Sequence, residues 1–262
     1  MSISPAAELR GALAAQLVAA QAERRPIDPP AALATLMLAD AYAVQDALVA
    51  LREGSGVQRS GWKLGITSPV KQRVMGIGHP LFGRTFADGE RASGARAELA
   101  AFIKPRTEPE LAIGLASEID PSMDRAALAR AVAWIAPALE ITDSRYRSGT
   151  RTAVELVADN TSSAAYVIGP RIAAGVAPLY DALATELLKN GTVELRGSTA
   201  DVLDHPLNAL AALAAHLAER GLRARAGDVI LSGAITDAIP VAAGDTVEAR
   251  IAGLGSATVS FF

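Results

Sequence analysis

Three glutamates at strand-like positions are the side chains of this sequence with the clearest capacity for chemistry. Glu108 and Glu110 are separated by one residue and precede an apolar run, and Glu140 has apolar neighbours on both sides. Because strand side chains alternate between faces, Glu108 and Glu110 are predicted to share a face, where a neighbouring strand could bring Glu140 to them. Buried carboxylates require protonation, a cationic partner or a bound metal, and an all-oxygen set favours Mg²⁺ or Mn²⁺. The alternative is that all three are solvated or in surface ion pairs.

Lys63 is the second candidate for chemistry. It lies in a short apolar segment bounded by Gly61 and Gly65. On an edge strand, such a lysine discourages aggregation. If it faces the carboxylates instead, its ammonium could donate to an enolate or carboxylate oxygen, or transfer a proton if burial lowers its pKa.

Composition limits the remaining classes of function. Half of the 262 residues are hydrophobic, one fifth are charged, and the net charge is -3. Such a chain can bury a large core, has no electrostatic basis for binding nucleic acid, and is expected to act on a small molecule. It contains no cysteine, so catalysis must use oxygen and nitrogen groups. With neither a signal-peptide pattern nor a membrane-spanning apolar run, we expect a cytoplasmic protein.

The periodicity of apolar residues predicts an α+β fold. Helical spacing extends from Ala6 to about Leu51, with prolines between two helices, and Gly54-Ser-Gly56 follows. Three further helices are predicted at 123–134, capped by Ser122, at 178–189 and at 206–221. Strands are predicted, mainly antiparallel towards the C-terminus, at 61–67, 110–116, 137–142, 164–168, 192–196, 228–232, 245–251 and 256–262.

The glycines of Gly54-Ser-Gly56 divide the chain into two expected parts: a helical region at 1–55 and a catalytic region at 56–262. Two interpretations of the helical region remain open. It is either a mobile cover that excludes water from the site, or a fixed layer packed on the sheet.

Six motifs occur in an order that resembles the hydratase/decarboxylase branch of the fumarylacetoacetate hydrolase superfamily. The resemblance covers about residues 50 to 262. It implies a mixed, mainly antiparallel β-roll or barrel with an N-terminal helical layer. The motifs are Gly61-Trp-Lys-Leu-Gly-Ile-Thr-Ser68, Glu108-Pro-Glu110, Leu139-Glu-Ile-Thr-Asp-Ser-Arg145, Ala158-Asp-Asn-Thr-Ser-Ser163, Gly227-Asp-Val-Ile-Leu-Ser-Gly233 and Leu254-Gly-Ser256.

The resemblance also implies roles for individual residues. Glu108, Glu110 and Glu140 would bind Mg²⁺ or Mn²⁺, which would chelate a 2-oxo acid, and Lys63 would stabilise the developing dienolate without any organic cofactor. The expected substrate contacts are Asn160, Ser162, Ser163, Ser232 and Gly233, although a plain polar turn followed by a strand explains these residues as well. The partner of the distal substrate carboxylate is left open among Lys71, Arg84, Arg145 and Arg147.

Within this branch the chain looks more like the 4-oxalocrotonate (2-oxo-3-hexenedioate) decarboxylases than the 2-oxopent-4-enoate hydratases, both of aromatic meta-cleavage pathways. Hydratases usually carry Asp where Leu81 stands in Pro80-Leu-Phe-Gly83, and segment 232–241 also resembles the decarboxylase form. The expected partner is a small 2-oxo dicarboxylic acid, and a homo-oligomer or a complex with the pathway hydratase is compatible with this assignment. Two alternatives remain open. In them the protein is either a hydratase or a non-catalytic ligand-binding or partner-stabilising protein on the same fold.

Overall fold

Helices form the N-terminal layer and a few later connections in a computed structural model that describes residues 5–150, 152–175 and 181–262. The α-helices are α1 (Pro5–Glu23), α2 (Leu38–Gly54), α3 (Pro69–Met75), α4 (Arg125–Arg130), α5 (Ala153–Ala158) and α6 (Pro206–Glu219). Short 3-10 helices occur at Ala31–Thr35, Ala87–Gly89, Leu99–Ala101, Asn160–Ser162 and Thr199–Asp201. No helix among the described residues is both long enough and apolar enough to cross a membrane.

Fourteen strands are present in the described part of the chain, and all eight predicted strands are among them. They are β1 (Arg59–Gly65), β2 (Leu81–Phe86), β3 (Glu90–Ala92), β4 (Ala95–Ala97), β5 (Arg106–Leu115), β6 (Val132–Thr142), β7 (Ser163–Ile168), β8 (Ile172–Ala173), β9 (Ala184–Lys189), β10 (Thr192–Ser198), β11 (Val229–Leu231), β12 (Ile239–Pro240), β13 (Thr246–Ile251) and β14 (Gly255–Phe261).

The strands form two mixed sheets. The larger has the order β2-β1-β11-β5-β6-β7-β3, with β12 beside β5 and β8 beside β6, and the smaller has the order β10-β9-β13-β14-β4. The pairs β1–β11, β3–β7 and β4–β14 are parallel, and the other described pairs are antiparallel. The predicted α+β, mainly antiparallel roll is therefore confirmed. The barrel version of that prediction is not, because the described strand order of each sheet has two free ends.

Two large apolar clusters hold these layers together. One lies between the larger sheet and the helices, and includes Leu13, Leu48, Leu64 and Leu213. The other lies between the two sheets, where Leu139 of β6 belongs to the same cluster as residues of β9, β13 and β14. A central strand such as β6 is buried on both faces, which explains why its sequence reads as a nearly continuous apolar run.

The N-terminal helices share the main core with the sheet. Buried residues of α1 and α2 pack in the same cluster as residues of β1 and β2. Gln45, which is fully buried, donates hydrogen bonds to the carbonyls of Phe82 (2.9 Å) and Val157 (3.1 Å). Burial of this kind favours the fixed layer over the mobile cover, because opening would expose the apolar core and break both hydrogen bonds.

Two of the predicted helices differ from the structure. The first ends at Arg130 rather than continuing to 134, because Val132 already starts β6, and its N-cap is Asp124, whose carboxylate accepts from Ala127 N at 2.7 Å, rather than Ser122. The helix predicted at 178–189 is wrong over the segment Ala184–Lys189, which is strand β9. Residues 178–180 of that prediction lie outside the described residues. The helix predicted at 206–221 is confirmed as α6.

Candidate active site

The register between β5 and β6 brings the three glutamates together. Glu108 lies directly opposite Glu140, and Glu110 lies two residues further along β5, opposite Ala138. One carboxylate oxygen from each residue lies within 4.8 Å of the other two. Glu110 and Glu140 are fully buried, and Glu108 is partly exposed. The alternation along β5 therefore places two of the carboxylates on one face, and strand pairing supplies the third.

Lys63 joins this cluster from a different strand. It lies on β1, and its side chain is almost completely buried. Its Nζ lies 2.9 Å from Glu140 Oε2 and donates a hydrogen bond to the carbonyl of Thr161 at 3.0 Å. Since β1 is flanked by β2 and β11, Lys63 is not on a sheet edge. The anti-aggregation role considered for an edge lysine therefore does not apply to it.

Burial and mutual repulsion together perturb the carboxyl groups. Burial raises the pKa of Glu108 to about 7, although the charge of Lys63 opposes the shift. Burial also raises the pKa of Glu110 well above its ordinary value, and the charges of Glu140 and Glu108 add to that effect. Burial alone would lower the pKa of Lys63, but the three carboxylates outweigh it and the net pKa is raised. The single positive charge of Lys63 therefore faces three carboxyl groups.

The carboxylate set fits a divalent cation. Oε1 of Glu110 and Oε1 of Glu140 are buried and have no hydrogen-bond partner among the described residues. Leaving such acceptors unsatisfied in the interior is costly, and three converging carboxylates with one lysine retain excess negative charge. Oxygen ligands of this type suit Mg²⁺, Mn²⁺ or Ca²⁺.

Ser232 and Gly233 follow β11 beside the cluster. The backbone N–H of Gly233 donates to Glu110 Oε2 at 2.8 Å, which holds that carboxylate in place. Gly233 has φ 110°, and a Cβ there would come within 2.5 Å of Thr67, so both the backbone angle and the close approach require glycine. Ser232 is fully buried, and its hydroxyl has no partner among the described residues.

A cavity of ≈ 210 Å³ opens beside the carboxylates. Its lining includes Lys63 and Glu108 from the cluster, Ser162 from the segment after α5, and Lys71 and Met75 from α3. The side chain of Lys71 is 45% exposed and lies 2.7 Å from Asp237, so it stands at the rim rather than in the interior. A small organic anion would thus meet the buried cluster at one part of the cavity and a lysine at another.

Asn160 and Ser163 are not among the residues that line this cavity. Asn160 accepts from the N–H of Arg84 at 2.8 Å and donates to its carbonyl at 2.9 Å, so its amide fixes strand β2. The carbonyl of Ser163 accepts from Arg145 at 2.9 Å. Ser162 does line the cavity, but its hydroxyl donates to Asp159 at 3.2 Å.

An unusual backbone turn presents the carbonyl of Thr161 to Lys63. Asn160, Thr161 and Ser162 all have positive φ values, of 48°, 51° and 56°. Three consecutive residues in this region are rare for non-glycine residues and mark a strained segment of the kind that clusters at functional sites. The sequence signal for this turn was the polar segment 158–163, but its conformation and the role of a main-chain oxygen were not predicted.

A buried ion pair anchors that turn. Arg145, which is 1% exposed, pairs with the fully buried Asp159 and also donates to the carbonyl of Asp143 at 3.0 Å. Burial raises the pKa of Asp159 despite the opposing charge of Arg145. Arg145 is thus committed to this anchor and is not free to bind a ligand.

Three other cations were considered as partners of the distal substrate carboxylate. Lys71 lines the cavity beside the carboxylate cluster. Arg84 is buried and stacks on Trp62, with 3.4 Å between its guanidinium carbon and the ring centroid. Arg147 lines a second, neighbouring cavity. Leu81, at the position where an aspartate would suit hydration, is fully buried at the start of β2 and lines none of the cavities described here.

Comparisons with known proteins agree with this architecture. Residues 87–261 match the sequence profile of the fumarylacetoacetate (FAA) hydrolase C-terminal domain. The chain is 38% identical to 2-keto-4-pentenoate hydratase of Burkholderia vietnamiensis over 95% of this chain and 96% of the relative. It is 35% identical to 4-oxalocrotonate decarboxylase of Pseudomonas putida over 86% of each chain.

The solved structures give a similar result. The 4-oxalocrotonate decarboxylase from Pseudomonas putida G7, complexed with magnesium and adipate, superimposes with a TM-score of 0.94 at 31% sequence identity, covering 100% of this chain and 99% of that one. The same enzyme complexed with calcium and acetate gives a TM-score of 0.92 at 31% identity and the same coverage.

Proposed function

Because this chain belongs to the fumarylacetoacetate hydrolase family, we propose that it is a divalent-metal-dependent lyase that converts 2-oxo-3-hexenedioate (4-oxalocrotonate) into 2-hydroxypenta-2,4-dienoate and CO₂ in aromatic meta-cleavage catabolism. Its relatives include decarboxylases and hydratases at similar identity. The observation that carries the proposal is the cavity that joins a buried carboxylate cluster and Lys63 to a second lysine, Lys71, at its rim.

The cofactor is a divalent metal ion. Decarboxylase structures similar to this chain contain magnesium or calcium. Glu108, Glu110 and Glu140 would hold the ion, since their converging oxygens include acceptors without a partner among the described residues. When bound, the ion supplies Lewis-acid polarisation of the 2-oxo group and a chelation point for the adjacent carboxylate.

Lys63 would act on the reacting oxygen. In decarboxylation the C5–C6 bond breaks and CO₂ leaves. The electron pair of that bond forms C4=C5, and the C3=C4 double bond moves to C2=C3. The 2-oxo oxygen thereby becomes an enolate that requires a positive neighbour and then a proton. Lys63 Nζ lies 2.9 Å from Glu140 Oε2 at the edge of the cluster, so its ammonium would stabilise the enolate as a preorganised donor.

Lys71 would contact the distal carboxylate that leaves as CO₂. A strong ion pair there would stabilise the bound substrate more than the transition state and would slow decarboxylation. Lys71 avoids this problem because it is exposed and lies 2.7 Å from Asp237, which offsets part of its charge. Such a weakened cation can orient the diacid without holding the leaving group tightly.

Leu81 supports decarboxylation over hydration. Water addition requires an acid/base group, and family hydratases usually carry aspartate at this position. Here the residue is an apolar side chain, fully buried in the main core cluster. The second candidate function, hydration of 2-hydroxypenta-2,4-dienoate, is favoured by the 38% identity to 2-keto-4-pentenoate hydratase of Burkholderia vietnamiensis, which extends over 95% of this chain.

A turnover assay separates the two reactions. The protein is incubated with 2-oxo-3-hexenedioate with and without Mg²⁺ while CO₂ is measured, and separately with the five-carbon dienol while hydrated product is measured. We expect CO₂ release that requires the metal, and at least about tenfold slower release by Lys71→Met than by Lys71→Arg. Hydration of the dienol without CO₂ release from the diacid would replace the proposal with the second candidate.

Assembly is part of the same proposal. We propose that the protein forms a homo-oligomer or a complex with the pathway hydratase, to which it would pass its reactive dienol. Sedimentation velocity of the Mg²⁺-loaded protein, alone and mixed with that hydratase, tests both arrangements. A single monomeric species in both samples would remove them.

A further inference from the structure

A second cavity adjoins the cavity of the carboxylate cluster. It has a volume of ≈ 450 Å³, against ≈ 210 Å³ for the first. Thr142, Thr150 and Ser162 line both cavities, so the two spaces meet at these residues. We call the second cavity the vestibule. A molecule in the vestibule therefore lies next to the cavity that opens beside the carboxylate cluster.

The vestibule has a positive lining. It contains Lys104, Arg106 and Arg147, and no acidic residue among its described lining residues. Lys104 and Arg106 are exposed, and the guanidinium of Arg106 donates a hydrogen bond to the carbonyl of Ala238. Arg147 lies 3.4 Å from Asp28, but both side chains are largely exposed, at 62% and 81%, so water screens that pair.

Tyr146 adds a hydrogen-bonding group to the wall of the vestibule. The residue is 3% exposed, and its hydroxyl has no hydrogen-bond partner among the described residues. The neighbouring Arg145 holds this segment in place through its buried pair with Asp159. A buried hydroxyl of this kind is costly unless it donates to something, and an anionic oxygen is the strongest acceptor available to it.

The charge of the cluster itself gives little long-range attraction for an anion. With a divalent cation bound, the three glutamates, Lys63 and the metal have formal charges of -3, +1 and +2, which sum to zero. A dianionic substrate would therefore feel no net pull from the place where it reacts. Any electrostatic capture has to come from elsewhere on the path to the cluster.

We propose that the vestibule is a capture site for small dicarboxylate anions, from which they pass to the carboxylate cluster. Its three cations would raise the local concentration of a dianion, and Tyr146 would bind one carboxylate while the other end advances past Ser162. Electrostatic steering of this kind accelerates association by about 10- to 1,000-fold and is suppressed by salt. The inference rests on the proposed dicarboxylate substrate, because a monoanion would gain much less.

The test compares association rates. Stopped-flow measurements follow binding of 2-oxoadipate, the saturated analogue that cannot decarboxylate by this route, to the Mg²⁺-loaded protein at increasing salt. The variant is Lys104→Gln/Arg106→Gln/Arg147→Gln. The control, Arg130→Gln/Arg196→Gln/Arg250→Gln, removes the same charge from arginines that line none of the cavities described here.

At low salt we expect the vestibule variant to associate about tenfold more slowly or worse, to dissociate at a rate changed less than twofold, and to lose most of its salt dependence. The control should match the wild type, and the monoanion 2-oxopentanoate should show a much smaller difference. Association that equals the wild type at every salt concentration would overturn the proposal. So would a control that slows as much as the vestibule variant.

Tyr146→Phe provides a second readout that a purely structural role would not give. Removing an unpartnered buried hydroxyl should leave thermal stability unchanged or raise it, while affinity for 2-oxoadipate falls about three- to tenfold. Unchanged affinity would remove Tyr146 from the capture site. If the vestibule variant slows 2-oxoadipate binding but the wild type does not release CO₂ from the diacid, the capture site stands and the proposed decarboxylation fails.

Discussion

Lys63 Nζ lies 2.9 Å from Glu140 Oε2, and the two side chains are 3% and 0% exposed. They come from β1 and β6, strands that are not neighbours in the larger sheet. Breaking a buried pair by removing one partner leaves the other charge uncompensated. In this site a bound cation could replace Lys63 as the counter-charge of Glu140, so the lysine can act on a ligand without being required to hold the carboxylate.

Neutralising any one glutamate of the cluster should weaken metal binding. Glu108→Gln, Glu110→Gln and Glu140→Gln keep the side-chain shape but remove the charge that holds a hard cation. We expect each to lower Mg²⁺ affinity by about tenfold or more, since even replacing a residue that only hydrogen-bonds to a metal ligand costs about 10- to 100-fold in affinity. Calorimetric titration measures this, with the exposed Glu118→Gln as control. Wild-type affinity in all three variants would refute the metal site.

Replacing Lys63 should affect turnover much more than metal affinity. Lys63→Met removes the ammonium that we propose faces the developing enolate, and loss of one preorganised donor costs about 100-fold or more in turnover. The Mg²⁺ affinity of the same variant should change less than about tenfold, because the three carboxylates remain. Steady-state kinetics and calorimetry on one preparation give both values. An unchanged turnover number would return Lys63 to a structural role.

The raised carboxyl pKa values predict a specific pH dependence of stability. A carboxyl whose pKa is higher in the folded protein than in the unfolded chain destabilises the fold as pH rises above the unfolded value. For Glu108 this window runs from its ordinary value of 4.5 to about 7. Relative to Glu108→Gln, metal-free wild type should therefore lose stability across this range in urea unfolding. Saturating Mg²⁺ should remove the loss, and a constant difference at all pH values would contradict the assignment.

Asn160 should matter for stability through strand β2. Asn160→Ala removes two buried hydrogen bonds to the backbone of Arg84 and puts alanine at a φ of 48°, which asparagine tolerates better. We expect the free energy of unfolding to fall by about 2 kcal/mol or more. Asn160→Gly tolerates the positive φ, so its loss of stability measures the contribution of the two hydrogen bonds alone. Full stability combined with weaker binding of 2-oxoadipate would instead make Asn160 a substrate contact.

The helical layer should behave as part of the folded core rather than as a gate. Amide hydrogen exchange of residues 6–54 is expected to be the same in the metal-free protein and in the complex with Mg²⁺ and 2-oxoadipate, because α2 is anchored through the buried Gln45. Residues 69–75 of α3, none of them buried, provide the comparison, since Lys71 lines the cavity. Strong new protection in α2 on ligand binding would revive the mobile cover.

The carboxylate cluster could be predicted because strand periodicity is a local property. Glu108 and Glu110 share a face wherever a strand forms, and the apolar neighbours of Glu140 indicate a buried strand. Lys63 could be named from its glycine-bounded segment. The partners of Lys63 could not be predicted. One is Glu140, on a strand that is not a neighbour of β1, and the other is the main-chain oxygen of Thr161.

The helix predicted over residues 184–189 is wrong because of a feature that only tertiary structure determines. Segment 184–189 contains good helix formers, but Leu187 and Leu188 pair with β13, and this pairing overrides local propensity. Asn160 and Ser163 were predicted to contact substrate because they are polar residues in a motif. No local pattern revealed that the Asn160 amide bonds the backbone of Arg84, or that the main-chain carbonyl of Ser163 accepts from Arg145. Their contact with substrate stays a prediction.

The pairing of Glu108 with Glu140 limits how this protein can change in evolution. Inserting or deleting a single residue between Glu108 and Glu110 would move one of these carboxylates to the opposite face of the sheet, so the proposed metal site depends on the local strand register being kept. Substitution is easier at α3, where no residue is buried, than in these strands. Decarboxylases and hydratases of similar sequence could therefore diverge by exchanging residues at this periphery while the strand register stays constant.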